Sequence, residues 1–288
     1  MDRKGNMTIE LGLILVIILL ITGIILSFTE MANEKIVKQE EMEHGETLIE
    51  RTAENLINTP GNPDDWEKYA KGTPGLAIIN EEDTIIPNSI SYFKLIALKN
   101  NYNKLVDEKL FNSKIKTSME LIPQESVISS VKIGHEDEGK NVFSTNRLVI
   151  CDFYKKYVIK DFKSKGKCNH NHKQDLNSCN YFKTFKGNLK YCDYYLIADE
   201  DEVYNLEYMV DTTKMLKHEG WQTMTSEKIY LNDKFDFYGD KDAIVFVHLN
   251  KKNPKAVIIS IPKDFDKNNL KYDYFRANEC KFIFKGWY

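Results

Sequence analysis

The stretch of this 288-residue chain whose residue types could do chemistry is Cys168-Asn169-His170-Asn171-His172, followed by Cys179. Two thiolates and two neutral imidazoles are the donor set of a tetrahedral zinc site. Their spacing matches no familiar finger pattern, and Cys192 is near enough to offer the other chemistry of thiols, a disulfide with Cys168 or Cys179. The chain has five cysteines, so one is left over whichever pairs form. From these residues a disulfide, a zinc site and unbridged thiols all stay open. The other histidines are scattered. His248, inside the apolar run Ile244-Val245-Phe246-Val247-His248-Leu249, reads as a sheet residue and not a catalyst. No G-x-S-x-G, HExxH, P-loop or G-x-G-x-x-G is present, so no catalytic residue is assigned and no enzyme is expected.

The element that must place everything else is at the N-terminus, MDRKGNMTIELGLILVIILLITGIILSFTE. The apolar run from Leu11 to Thr29 carries no charge and, at about 1.5 Å per residue, makes a helix about as long as a bilayer's hydrocarbon is thick. It predicts a membrane-spanning helix in contact with lipid. Arg3 and Lys4 precede it and Glu30 and Glu34 follow, which places the N-terminus in the cytoplasm and the bulk of the chain outside the cell. Its apolar core is too long, and its end too poor in small residues, for an ordinary secretory signal. Glu10, a carboxylate at the start of the apolar run, wants a partner there.

Lys4-Gly5 followed by Asn6-Met7-Thr8-Ile9-Glu10 resembles the class III signal peptide of archaeal type IV pilin-like proteins. That family is cut after a Lys-Gly-like pair to leave a Gln-x-Ser-x-Glu start, here with Asn for Gln and Thr for Ser. The resemblance implies processing by a prepilin-type signal peptidase at Lys4, Gly5 and Asn6, with Glu10 and the freed amine of Asn6 serving assembly. A second match runs from Thr59 to Ala77, where TPGNPDDW and a later Gly75-Leu76-Ala77 resemble the turn that ends the helix in such proteins. More distantly, DYYLIADEDEVYN, SEKIYLND, AIVFVHLN and AVIISIPKDF look like strands of a methanogen-type pilin-like head. The resemblance implies a structural subunit, minor or at the tip given the large head, whose partners are other pilin-like subunits. The alternative is a membrane-anchored extracellular binding protein or hydrolase that uses the leader only for export.

Between Glu30 and Asn58 there is no Pro and only Gly45, and Glu, Lys, Gln and Met are dense, so the helix is expected to continue as a stalk. To about His44 it is polar apart from Met31, Ile36, Val37 and Met42. Beyond Gly45, the apolar residues Leu48, Ile49, Ala53, Leu56 and Ile57 recur at helical spacing and form a face for a globular head. Pro60, Gly61 and Pro63 stop the helix and turn the chain so that Trp66 folds back as a plug rather than standing out as a stacking aromatic. ISYFKLIALKNNYNKLVDEKLF reads as one or two short helices, and Ile115 to Ile122 alternates as a strand. Further strands are read at Arg147 to Tyr154, Tyr194 to Ala198, Ala243 to Leu249, Ala256 to Pro262 and Cys280 to Phe284. Asp201 to Glu219 reads as a strand and then a helix, which periodicity does not separate.

The expected class is α+β: a transmembrane helix continuing as a stalk into a mixed, largely antiparallel β head. The expected division is 1–5 leader, 6–58 helix and stalk, 59–134 first part of the head and 135–288 a β-rich C-terminal domain, with the charged run from Gly134 to Lys140 as the boundary. Lys and Arg number 40 against 43 Asp and Glu, interspersed, for a net charge of −3. That balance offers no basic stripe for nucleic acid. With the head outside the cell, pairing among Cys168, Cys179 and Cys192 is the expectation, and no cofactor or metal is.

Overall fold

A computed structural model describes residues 3–80, 82–136, 139, 141–162, 178–212, 220–237, 239 and 242–288, with backbone alone for 3–11. One helix, α1 (Arg3–Asn58), runs unbroken through the apolar run and the stalk. It is long and apolar enough to cross a membrane, and none of the described residues buries the apolar window of that span. Its residues from Gly12 to His44 are all exposed, and burial begins at Gly45. The helix ends where Pro60 restricts the residue before it. Thr59 Oγ1 donates to Asn55 O at 2.7 Å, and the returning chain supplies N–H groups from Leu76 to Leu56 O at 2.7 Å and from Ala77 to Thr59 O at 3.0 Å. These bonds satisfy carbonyls that a helix end leaves without partners.

After the turn come α2 (Trp66–Tyr69) and α3 (Tyr92–Lys99), then a π-helical turn Asn103–Glu108 running into Lys109–Phe111. In chain order the strands of the three larger sheets are β1 (Ser89–Ile90), β2 (Lys116–Pro123), β3 (Val131–Gly134), β4 (Phe143–Cys151), β5 (Val158–Asp161), β6 (Ser178–Phe185), β7 (Cys192–Ala198), β8 (Glu207–Thr212), β9 (Gln222–Thr223), β10 (Lys228–Tyr230), β11 (Asp242–Leu249), β12 (Ala256–Pro262) and β13 (Asn278–Trp287). The first sheet has the order β1-β4-β13-β2-β3, the middle sheet β10-β7-β12-β5 and the outer sheet β6-β11-β8-β9. Only β1 with β4 is a parallel pair among these. The class expected from sequence is therefore the one found.

Two cores hold the layers together. The first combines Ile49, Ala53, Leu56 and Ile57 of α1 with Trp66, the helices after it and the inner face of the first sheet, including Val149, Phe282 and Phe284. Tyr195, Ile197, Val257 and Ile259, on one face of the middle sheet, join the same core. The opposite face, with Tyr194, Leu196, Ala198 and Ile258, packs on Phe182, Val210, Val245 and Val247 of the outer sheet. A sheet buried on both faces needs near-continuous apolar strands, as the sequences of β7 and β12 are.

Two expectations change. The boundary at 134/135 does not divide the sheets: β4 and β13, from the second half, pair with each other, and β13 also pairs with β2 from the first half. The inserted part is instead the middle and outer sheets, between Cys151 and Asn278, two residues that face each other across the β4–β13 ladder. The Lys- and Asn-rich sequence around Cys179 and Cys192 reads as a loop region, yet they lie in β6 and at the start of β7. The edge strand β6 buries Ser178, Asn180 and Thr184 beside Phe182 while Tyr181, Lys183 and Phe185 face outward, so residue type along it does not follow the alternation that would mark a strand.

Candidate functional site

The head grips α1 over its last quarter, from Gly45 onward. Gly45 faces Phe143 on β4, and a Cβ there would sit 2.6 Å from the ring. One turn on, Ile49 lies against Gly286 of β13, where a Cβ would collide with its Cδ1. Phe143 and Gly286 are themselves register partners. A glycine on the helix thus admits a ring from the sheet, and a glycine on the sheet admits a methyl group from the helix. Arg147 locks the same contact from the side, donating from Nη2 to Glu50 Oε1 at 2.7 Å and from Nε to Glu54. Upstream of this grip Met31, Ile36, Val37 and Met42 are each at least 40% exposed, apolar positions on a stalk that the head leaves uncovered. Lys4, Gly5, Asn6 and Glu10 belong to the helical backbone of α1.

The helix-ending turn is built as the sequence implied. Trp66 is fully buried and donates from Nε1 to Gly75 O at 2.9 Å, which makes it the plug. Gly61 has φ +95°, a conformation that suits glycine, and its missing Cβ leaves room for the indole. Lys94 of α3, not singled out from sequence, fixes the turn from inside. Its Nζ donates to Pro60 O and Asp64 O, each at 2.7 Å, and burial lowers its pKa. The cleft beside this turn has a volume of about 560 Å³ and is lined by Thr52, Leu56, Thr59, Pro74 and Leu110 among others. Its charge-free lining holds no acid or base.

Three further groups bring titratable side chains together. Asp107 accepts from Thr117 N at 3.1 Å and Thr117 Oγ1 at 2.7 Å, and its other oxygen meets His135 Nε2 at 2.7 Å. Tyr102 OH is 2.9 Å from the same threonine hydroxyl, and burial pushes its pKa up. This network ties the π-helical turn to β2 and to the residue after β3, with every acceptor of Asp107 occupied by structure. In the outer sheet, Cys179 lies opposite His248, and His248 Nε2 is 3.1 Å from Asp211 Oδ2. Thiol, imidazole and carboxylate share one face there, yet His248 is 1% exposed, so the imidazole is a packed sheet residue.

The third group is at the neck between the first sheet and the inserted part. Asp152 Oδ1 accepts from Tyr92 N at 2.8 Å, and burial raises its pKa to about 6. Beside it lie the buried thiols of Cys151 and Cys280, burial pushing Cys151 up and the neighbouring Cys151 thiol drawing Cys280 down. Cys151 and Cys280 carry no single-sequence signal of this, because their proximity is set by the return of the C-terminal strand.

Of the sequence-derived zinc and disulfide set, Cys168, His170 and His172 lie outside the described residues. Cys179 and Cys192 stand on different sheets, β6 in the outer and β7 in the middle. Among the described residues no three His, Cys, Asp or Glu side chains have the geometry to hold a metal ion. No protein-family model, curated protein or solved structure matches the chain.

Proposed function

We propose that the chain is a structural subunit, minor or at the tip, of an archaeal type IV pilus-like surface filament that assembles through its N-terminal helix. The observation that carries this reading is the unbroken helix Arg3–Asn58, free of the head from Gly12 to His44 and clasped by it only from Gly45 onward. Such a helix is membrane-embedded before assembly and bundled with copies or related subunits after it. In the bundle its exposed apolar residues, including Met31, Ile36 and Val37, acquire neighbours that the monomer does not provide. Removal of the leader after Gly5 gives Asn6 a free ammonium. Glu10 of a neighbouring subunit then pairs with it at the same depth, removing much of a penalty that is on the order of 3 kcal/mol at a bilayer's centre and smaller near its interface, and fixing the axial register. The head projects outside the cell, the prepilin-type peptidase and the other pilin-like subunits being its partners.

The test is the N-terminal sequence of the native protein, together with the distribution of Glu10→Ala between membrane-bound and sheared surface fractions. We expect a mature chain beginning at Asn6. The mutant should insert normally, keep the circular dichroism of its head and enter the sheared fraction poorly. An intact leader, or equal incorporation of the mutant, overturns the reading.

A further inference from the structure

Cys151 is the last residue of β4 and Cys280 the third of β13. Cys151 is opposite Asn278 and Cys280 opposite Val149, so the two are diagonal neighbours on the inner face of the first sheet. Both are buried, at 0% and 1% exposure. Cys280 Sγ is also 3.5 Å from Asn278 O, a contact that aims it along the strand toward the neck. All of the middle and outer sheets lie between these two residues in the chain.

We propose that Cys151 and Cys280 are a disulfide-forming pair, bridged while the chain folds, that closes the neck through which the inserted sheets leave and rejoin the first sheet. Diagonal partners in a ladder are about 7–8 Å apart at Cα, with Cβ atoms nearer, and a bridge needs Cα atoms within about 6.8 Å. Cys151 terminates its strand, so the chain end can close that gap without disturbing the ladder behind it. The oxidant is itself a disulfide, small or carried by a thiol oxidoreductase. A Cys280 thiolate attacks one of its sulfurs, expelling one thiolate and leaving a mixed disulfide. Cys151 then loses its proton and attacks Cys280 Sγ, expelling the second thiolate. Two electrons pass to the reagent, which takes up two protons and leaves as two thiols. Neither cysteine is accessible in the finished head, so the exchange precedes the docking of β13. The bond then records the conditions under which the chain folded.

The test uses the full chain in detergent, denatured under reductant and refolded either in a glutathione redox buffer or in reductant alone, then alkylated, digested and read by mass spectrometry. The redox buffer should give a peptide linked through Cys151 and Cys280, and a thermal midpoint higher than that of the reduced product by on the order of 10 °C. A sample folded in reductant and only then exposed to oxidised glutathione should keep both thiols, revealed by alkylation after denaturation. No Cys151–Cys280 peptide on refolding in the redox buffer, or a linkage of either residue to another cysteine, overturns the proposal. Equally rapid bridging of the already folded protein overturns the order of events. These readouts come from wild type and do not depend on filament assembly.

Discussion

Strand β13 of the first sheet alternates buried and more exposed residues through Cys280, Phe282 and Phe284, while β7 of the middle sheet is buried from Asp193 to Ala198. The first sheet presents one face to the stalk and one to solvent, where Leu148 is 78% exposed. The two central strands of the middle sheet, β7 and β12, present almost none. The first sheet is also assembled from distant parts of the chain, its centre being the last strand, whereas the middle and outer sheets come from the continuous segment 158–262. Order in the first sheet therefore rests on long-range closure, and order in the other two on the burial of contiguous strands.

Removing β13 should separate the two regions most sharply. A chain ending at Ala277 loses the partner of both β4 and β2. We expect its amides in 116–123 and 143–151 to lose protection against hydrogen exchange while those in β7 and β11 keep it. Equal loss in both regions would mean that they fold as one unit. A smaller probe is Gly286→Ala, which drives a methyl group into Ile49 and should destabilise the clasp on the stalk by about 3 kcal/mol, as overpacked sites do. Chemical denaturation read by the fluorescence of Trp66, which shares a core with Ile49, should report that loss, and hydrogen exchange in the outer sheet should not change.

The smallest effect is expected at the neck. Burial raises Asp152 to about 6, so the folded state holds its proton more tightly than the unfolded chain. The stabilisation is full below about pH 4 and is lost as pH rises through about 6. Asp152→Asn retains an acceptor for Tyr92 N and escapes this loss. The variant should be more stable than wild type at pH 8 by on the order of 2 kcal/mol, and about equal to it at pH 4. Parallel denaturation curves at the two pH values measure the difference, and an Asn variant less stable at pH 8 would remove the assigned role of burial.

The same contrast explains what the sequence revealed. The strands of the middle sheet were legible because Tyr194 to Ala198 and Ala256 to Pro262 are apolar almost without interruption, and α1 because a long run without Pro or charge has few alternatives. Trp66 was legible through its turn. What stayed hidden depends on closure. The strand Cys280 to Phe284 was read, but not its extension to Asn278–Trp287 or its place at the centre of a sheet begun at Ser89. The division at Gly134 to Lys140 failed for that reason, since a charged run marks a surface loop and not where the partner of the next strand lies. Lys94 carries no signal of its own in the sequence, and only the carbonyls of the returning turn give its ammonium a buried role.

One consequence concerns how such heads can diversify. The segment between Cys151 and Asn278 leaves the first sheet and returns to it at a single facing pair of residues. A graft that spans the short distance between those strand ends, and covers the apolar surface now met by Tyr195 and Val257, could replace the outer sheets without altering the surfaces that clasp the stalk. Exchange of one decorative module for another, on a constant stalk and first sheet, is open to evolution and to the protein engineer at that one position.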